Sequence, residues 1–278
     1  MTDLSLSQLR KGYADTRAGQ IHYRYMLADD QAPPLVLLHW SPSCGRMFEP
    51  FMPSFVERGY SVYAPDVMGM GRSDQRPGDW RIEDFAENMG EALDALGLHD
   101  IFLVAGHLTA MVGTELMLQA PGLVKKVVLD GVPAWTEDEL KKLLSSVSVG
   151  KPTVQDDGSH KTYPWDRAIF ALQTWNKSFE LNNDSLPDVY LMAIDYLEQR
   201  FGSPAGAIGQ YDIRPRLPLL DLPVLALTAD RELLRSQHDG GVALIKDCKE
   251  HCFAGDHPLM SPDRADEYVS VIDDFFRG

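Results

Sequence analysis

The chain has 278 residues and a formal net charge of −15, and its hydrophobic and charged fractions of 44% and 24% are ordinary for a globular protein. The acidity argues against a nucleic-acid partner, because no basic stripe is present to neutralise phosphates. No apolar run comes near the roughly 20 residues that a membrane span needs, and the N-terminus lacks the features of a secretory signal. We therefore expect a cytoplasmic protein with one large domain or a core with an inserted cap, and we leave a homodimer open.

Neither the cysteines nor the glycines point to a bound cofactor. The chain has three cysteines, Cys44, Cys248 and Cys252, an odd number without the spacing of a disulfide framework. This predicts free thiols in a reducing compartment. His251 lies between the last two, but no second ligand cluster accompanies them. Residues 69–71 (Gly-Met-Gly) lack the third glycine of a dinucleotide fingerprint. We therefore predict no metal and no nucleotide cofactor.

Strands and helices alternate along most of the chain. The predicted strands are 21–27, 35–38, 60–64, 101–105, 127–129 and 224–227, and the predicted helices are 82–96 and 111–120. This alternation predicts a mostly parallel sheet with right-handed crossovers, whose ligands bind beyond the carboxyl ends of the strands. Those ends carry His39, Asp66, Leu108, Asp130, Asp230, Glu232 and the loop of His257.

Between Pro133 and Leu222 the alternation stops and helical patterns rich in aromatic residues take over. We interpret residues 134–222 as a helical cap inserted into a core formed by 1–133 and 223–278. Its aromatic side chains are divided between the interior of the cap and an apolar pocket, for which we name Trp135 and Trp165. His160 is predicted to reach the site from the cap, with an exposed loop histidine as the alternative.

Residues 106–110 (Gly-His-Leu-Thr-Ala) lie between a predicted strand and a predicted helix. This small-x-nucleophile-x-small pattern resembles the nucleophile elbow of α/β-hydrolases. Its middle residue is Leu108, which has no lone pair and no proton to give up. We therefore predict a hydrolase scaffold that lacks its nucleophile. Thr109 is expected to point into the helix and His107 to pack behind the elbow.

Three other segments carry the same resemblance across essentially the whole chain. Residues 35–40 resemble the family's oxyanion strand and turn, 58–74 resemble its most recognisable segment, and 255–258 resemble its catalytic-histidine loop. The resemblance implies the α/β-hydrolase fold, a mostly parallel central sheet flanked by helices, with the inserted cap. Two departures stand out, because Trp40 replaces the glycine of the oxyanion turn and Met111 replaces a glycine after the nucleophile.

The resemblance also implies a histidine–carboxylate pair. His257 is the predicted general base, because an imidazole beside a carboxylate is suited to proton transfer near neutral pH. Glu232, which follows the late strand, is favoured as its partner. Asp130, at a position that some relatives use, is the second candidate and Asp230 the third.

The backbone amides of Trp40 and Thr109 are expected to form an oxyanion hole, which needs aimed donors and not particular side chains. His39 is expected to hold this turn by hydrogen bonding. The other residues assigned to the pocket are Ser41, Leu108 and Met111.

These residues favour an enzyme that performs acid–base chemistry on a small apolar or aromatic carbonyl compound, such as a natural-product intermediate. Lyase, isomerase, cyclase or water-addition chemistry would need no covalent intermediate. A hydrolase of small esters or C–C bonds that uses histidine-activated water is the second hypothesis. A ligand-binding protein without catalytic activity is the third, and a cofactor-free dioxygenase is a minor alternative.

Overall fold

The computed structural model describes residues 8–75, 78–146, 153–198 and 205–278. Its centre is an eight-stranded sheet. The strands are β1 (Arg10–Thr16), β2 (Gly19–Met26), β3 (Pro34–Leu38), β4 (Ser61–Pro65), β5 (Ile101–Gly106), β6 (Val124–Asp130), β7 (Val224–Ala229) and β8 (Cys248–Phe253). The apolar runs of β3 and β5–β7 are buried on both faces, as expected for strands covered by helices on either side.

The strands follow the order β1-β2-β4-β3-β5-β6-β7-β8. The β1–β2 and β2–β4 pairs are antiparallel and the other pairs are parallel. The register places Leu38 beside Ala105 and Gly106 beside Asp130, so β3, β5 and β6 end at one edge of the sheet. The loops that follow these strands therefore meet at this edge, where ligands bind in open α/β sheets.

Helices cover both faces of the sheet and form a third group between β6 and β7. They are α1 (Met52–Glu57), α2 (Ile82–Ala95), α3 (Leu108–Gln119), α4 (Glu137–Ser146), α5 (Tyr163–Trp175), α6 (Leu186–Glu198), α7 (Ala205–Ile208), α8 (Arg235–Val242) and α9 (Ala265–Arg277). Buried residues of α2 and α3 form one apolar core with the sheet, and those of α1 and α9 form the other. The helices α5 and α6 join the second core through Trp40 and its neighbours.

The predicted fold class is confirmed, since the sheet is mostly parallel and flanked by helices. The helices α4 to α7 fall within the stretch assigned to the cap, of which residues 147–152 and 199–204 lie outside the described residues. The boundaries of the cap stay a prediction. Within the part of the chain that the structure describes, no helix is long and apolar enough to cross a membrane.

Candidate functional site

The strained residue of the elbow is His107, one position before the predicted apex. Its backbone has φ 54° and ψ −121°, while α3 begins directly after it at Leu108. A positive φ is rare outside glycine and marks the sharp strand-to-helix turn that presents a nucleophile in this type of elbow. The assignment of the apex to Leu108 was therefore wrong, and the elbow spans residues 105–109 with an imidazole at its tip.

His107 is paired with Glu232 on one side of its ring. Its Nε2 lies 3.1 Å from Glu232 Oε1, and both side chains are nearly buried. Burial alone would raise the pKa of Glu232, but the His107 imidazole and its hydrogen bond lower it to about 2. Because the ionised carboxylate of Glu232 can only accept a hydrogen bond, the proton of this hydrogen bond is on His107 Nε2. The lone pair of a neutral His107 is then on Nδ1.

No hydrogen bond to His107 Nδ1 is found among the described residues, and this atom is not sealed from solvent. The residue as a whole is 7% exposed, against 1% for His257. His107 therefore combines a carboxylate-bound Nε2 with an available Nδ1. This is the arrangement of a general base whose second nitrogen is oriented by an acid.

His257 is paired with Asp130, at the end of β6. Its Nε2 lies 2.9 Å from Asp130 Oδ1, although the ring N–H is not aimed directly at that oxygen. The second oxygen of Asp130 accepts a hydrogen bond of 2.9 Å from the Tyr268 hydroxyl. Burial would lower the pKa of His257, but the charges of Asp130 and Glu232 raise it above its usual value. The backbone N–H of Leu259 donates to His257 Nδ1 at 3.2 Å, so both ring nitrogens face protein groups.

The favoured pairing of His257 with Glu232 is corrected by this geometry. In the structure, His257 pairs with Asp130, the second candidate. Glu232 pairs instead with His107, which was expected to play only a structural role. Asp230, the third candidate, accepts a hydrogen bond from the backbone of Gly255. The site thus holds two histidine–carboxylate pairs where the sequence predicted one.

The indole of Trp40 connects the two pairs. It stacks on His107 with ring centroids 3.7 Å apart and lies 5.1 Å from the ring of His257. Trp175, from α5 of the cap segment, packs edge-on against it at 5.8 Å. A Cβ atom on Gly106 would lie 2.0 Å from Trp40 Nε1, so this close approach requires glycine. The large ring that replaces the family glycine therefore fills the space beside the elbow.

The turn after β3 is held by side chains that the sequence singled out. His39 donates from Nδ1 to the carbonyl of Trp40 at 3.0 Å and accepts from the Val67 amide at Nε2, at 3.0 Å. Burial lowers the pKa of His39, which favours the neutral ring that this pattern requires. The hydroxyl of Thr109 donates to the Leu38 and Gly106 carbonyls at 3.0 Å, so it is held against the ends of β3 and β5 and does not point into the helix as predicted.

The change of apex also changes the candidate oxyanion donors. With His107 at the apex, the amide after the apex belongs to Leu108 and not to Thr109. Because α3 begins at Leu108, its first N–H groups have no acceptor within the helix. The Trp40 amide donates to the sulfur of Met47, 3.3 Å away. Both amides lie at the predicted edge of the sheet, and one of them has a weak acceptor in place.

The remaining pocket residues are distributed between the site and the cap. Leu108 and Met111 are buried in α3, while Ser41 is half-buried in the turn after Trp40. Trp135 packs on the α2–α3 core, and Trp165 packs edge-on against Tyr190 of α6. His160 accepts a hydrogen bond from the Gln155 amide at 3.0 Å, which turns its ring toward its own loop.

Two surface cavities lie away from these residues. One of about 610 Å³ is lined by Arg10, Tyr25 and Asp29 beside β1 and β2. The other, of about 450 Å³, is lined by Asp94, His99 and Pro121 at the ends of α2 and α3. Neither contains a histidine–carboxylate pair, so the geometry at the elbow, and not cavity size, identifies the candidate site.

Sequence reasoning missed the position of His107 at the tip of the elbow. It included Trp175 only among the aromatic residues of the cap, and it did not name Tyr268 or Met47. The signal for His107 was present, because Ala105 and Thr109 also fit a small-x-x-x-small pattern centred one residue earlier. Nothing local in the sequence marks the other three. They approach the site from α5, α9 and the turn after β3 through the tertiary fold.

The comparisons with known proteins agree with this architecture. A sequence model described as alpha/beta hydrolase fold matches residues 33–230. Haloalkane dehalogenase 1 of Mycobacterium tuberculosis is 29% identical over 102 residues, which is 35% of this chain and only 33% of that protein. Proline iminopeptidase of Thermoplasma volcanium is 22% identical over 293 residues, covering 96% of both chains.

Solved structures show the same fold at low sequence identity. The enol-lactonase from Burkholderia xenovorans LB400 superposes with a TM-score of 0.76 and 17% identity, covering 96% of this chain and all of that one. The esterase EaEST from Exiguobacterium antarcticum gives a TM-score of 0.74 at 16% identity, covering 96% of this chain and 99% of that one. At these identities the likeness concerns the fold alone.

Proposed function

The chain belongs to the α/β-hydrolase fold family, and from that premise we propose that it is an enzyme in which the His107–Glu232 pair transfers protons. No serine, cysteine or aspartate stands at the elbow apex. The reaction therefore proceeds without an acyl-serine intermediate. The classes that fit are elimination, isomerisation, cyclisation, C–C cleavage and the addition of water.

The observation that carries the proposal is the position of His107. Its strained backbone, its ionised partner on Nε2 and its available Nδ1 support the proposal that it stands at the turn where the family presents its nucleophile. Strain of this kind costs of order 1–3 kcal/mol and persists only where the surroundings hold it. His257 is the competing candidate, but protein groups face both of its ring nitrogens.

The substrate class follows from the surroundings of His107. The flat rings of Trp40 and Trp175 pack beside it. The Leu108 amide, and the Trp40 amide once it leaves the weak Met47 acceptor, can donate to an oxygen that gains negative charge. A small apolar or aromatic carbonyl compound matches these features. In this scheme His107 Nδ1 takes a proton from the carbon or hydroxyl next to the carbonyl, and the amides stabilise the resulting enolate or alkoxide.

Hydrolysis is the second candidate, and the relatives favour it. The printed names of the similar proteins include a dehalogenase, an iminopeptidase, an esterase and a lactonase. The same machinery would serve, because His107 Nδ1 would take the proton from water and the water oxygen would attack the carbonyl carbon. Only the nature of the product separates this candidate from the first.

The test is a screen of aryl esters, enol esters and β-diketones with the wild-type protein, His107→Gln and His257→Gln. Loss of a positioned general base typically costs 10²- to 10⁴-fold in rate, so we expect about that loss in His107→Gln. His160→Gln is the matched control, because His160 lies in its own loop away from the site. Intact-mass analysis after treatment with a fluorophosphonate is expected to show no adduct.

Three outcomes would contradict the proposal. A stoichiometric fluorophosphonate adduct would reveal a serine or threonine nucleophile. If His257→Gln lost turnover and His107→Gln kept it, His257 and not His107 would be the general base. If the wild-type protein turned over none of these compounds, yet bound them, and both variants bound them equally well, the protein would be a ligand-binding member of the family.

A further inference from the structure

The turn after β3 is anchored to the core beneath it. Its central residues, Gly45–Phe48, form a short 3-10 helix. The Gly45 amide donates to Asp66 Oδ1 at 2.8 Å, and a Cβ atom at Gly45 would meet the Ala64 carbonyl at 2.5 Å. Asp66 is in turn held by Arg24 and His22. The start of the turn is therefore fixed tightly against β4.

The other side of the turn is held by a buried acid from the cap segment. Asp195 lies on α6 and its side chain is 2% exposed. Arg46 Nη2 donates to Asp195 Oδ1 at 2.5 Å, and the Ser43 hydroxyl donates to Oδ2 at 3.4 Å. The same guanidinium nitrogen donates to the Leu191 carbonyl at 3.1 Å. The cap helix is thus tied to the turn by charged hydrogen bonds.

A buried carboxylate is a costly way to attach a helix. Removing an ion from water is unfavourable, and only a close partner and further hydrogen bonds offset this cost. Apolar side chains on this face of α6 would have packed the helix without that cost. The charged pair specifies one position of Arg46 relative to α6, which apolar packing does not do as sharply.

The next residue along the turn, Met47, contacts the oxyanion turn itself. Its sulfur accepts the hydrogen bond of the Trp40 amide at 3.3 Å. A thioether is a weak acceptor and its chain is flexible, so a stronger acceptor displaces it readily. Met47 thus stands where a substrate oxygen would accept from the Trp40 amide.

We propose that Asp195 is a positioning residue for the oxyanion site. Through Arg46 it fixes the turn so that the Met47 sulfur accepts the hydrogen bond of the Trp40 amide when no substrate is bound. A substrate oxygen then takes the place of the sulfur. The inference rests on the proposed function, since that function gives the Trp40 amide its oxyanion role.

The experiment is nuclear magnetic resonance of the full chain, labelled with ¹⁵N and with ¹³C at the methionine methyl groups. The readouts are the shift and hydrogen-exchange rate of the Trp40 amide and the shift of the Met47 methyl group. The variants are Asp195→Asn, Arg46→Gln and Met47→Leu, which keeps the bulk but removes the sulfur. Asp188→Asn is the matched control, because Asp188 is an exposed acid on the same helix.

We expect Met47→Leu to speed exchange of the Trp40 amide by about twofold, the effect of losing one hydrogen bond at the weak end of the usual range. Asp195→Asn and Arg46→Gln should shift the Trp40 amide and the Met47 methyl group together, while Asp188→Asn leaves both in place. If the first two variants leave both signals unchanged, Asp195 does not position the turn. If Met47→Leu leaves the amide unchanged, the sulfur is not its acceptor.

This test is independent of turnover. A failure here with an active His107 would remove Asp195 from the mechanism and leave the proposed function intact. Coupled shifts at Trp40 and Met47 in a protein without catalytic activity would support the positioning contact and contradict the enzyme. Arg46→Gln covers the case in which Asp195→Asn fails to fold, because Arg46 is 24% exposed and tolerates change better.

Discussion

Gly106 sets how closely Trp40 can approach the elbow. Because an added Cβ would lie 2.0 Å from Trp40 Nε1, Gly106→Ala must displace the indole from His107. Overpacking of this kind costs about 1–3 kcal/mol, so we expect the free energy of unfolding in urea to fall by that amount. Gly240→Ala is the control, since nothing lies near its Cβ in α8 and alanine should stabilise that helix by about 0.5–1 kcal/mol. Equal effects of the two changes would contradict the role of Trp40.

The residue scale is also where sequence reasoning was least successful. The pentapeptide pattern identified the elbow but not its centre, because a shift of one residue leaves small residues at both ends. The positive φ that distinguishes His107 from Leu108 is a property of the folded turn. The choice between Asp130 and Glu232 depends on how two loops pass each other, which no local pattern encodes. The hydrogen-bonding role of His39 was predictable because its Nδ1 bonds the carbonyl of the next residue, within its own turn.

At the scale of elements, α3 is tied to the segment after α7 by a buried acid. Glu115 is 2% exposed on its side chain and accepts from Arg216 at 2.6 Å and from the Tyr211 hydroxyl at 2.7 Å. Removing a partner of a buried charge lowers the free energy of unfolding by about 3–5 kcal/mol. Because Arg216 is itself partly exposed, we expect Arg216→Ala to lower the free energy of unfolding by about 3 kcal/mol, the lower end of that range.

Arg214 provides the matched control for this prediction. It pairs with Asp212 at 2.8 Å, and both side chains are exposed. Exposed pairs contribute about 0–1 kcal/mol, so Arg214→Ala should change the urea midpoint little. If the two arginine variants lost similar stability, the buried position of Glu115 would not be what holds these elements together.

Most of the elements with a strong apolar pattern were predicted, although the amphipathic α9 was not. The buried strands β3–β7 each contain a run of mostly apolar residues, and the amphipathic α2 has its core positions at helical spacing. The strand β8 escaped prediction because it is an edge strand whose sequence, Cys-Lys-Glu-His-Cys-Phe, is mostly polar. The helix α3 begins three residues earlier than expected, because the turn at His107 is sharp enough to need no linker.

For the whole molecule, the pKa shifts of the buried ionisable groups predict that the free energy of unfolding is greatest at intermediate pH and falls toward both acid and alkaline pH. The pKa of Glu232 is lowered from its ordinary value of 4.5 to about 2. Burial raises the pKa of Asp66, but the hydrogen bond to His22 and the charge of Arg24 outweigh burial and leave this pKa below its ordinary range. Both groups therefore stabilise the fold above their ordinary pKa and lose this contribution as the pH falls. For Glu232 the loss is on the order of 3 kcal/mol between about pH 4.5 and 2.

The raised pKa of His257 has the opposite effect on how stability depends on pH. Its raised pKa contributes stability that is complete below about pH 6.5 and is lost as the pH rises through the folded-state value. Urea unfolding from pH 2 to 9 should therefore give a curve that declines on both sides. Glu232→Gln should flatten the acid side and His257→Gln the alkaline side. A wild-type curve without an acid decline would contradict the ionised Glu232 in the folded site.

The stacking of Trp40 on His107 gives the molecule its own optical indicator. An indole in face-to-face contact with an imidazole loses fluorescence when that imidazole gains a proton, and the two ring centroids here are 3.7 Å apart. Because the ring of His257 also lies 5.1 Å from this indole, the emission of Trp40 reports on its contacts with both imidazoles of the site.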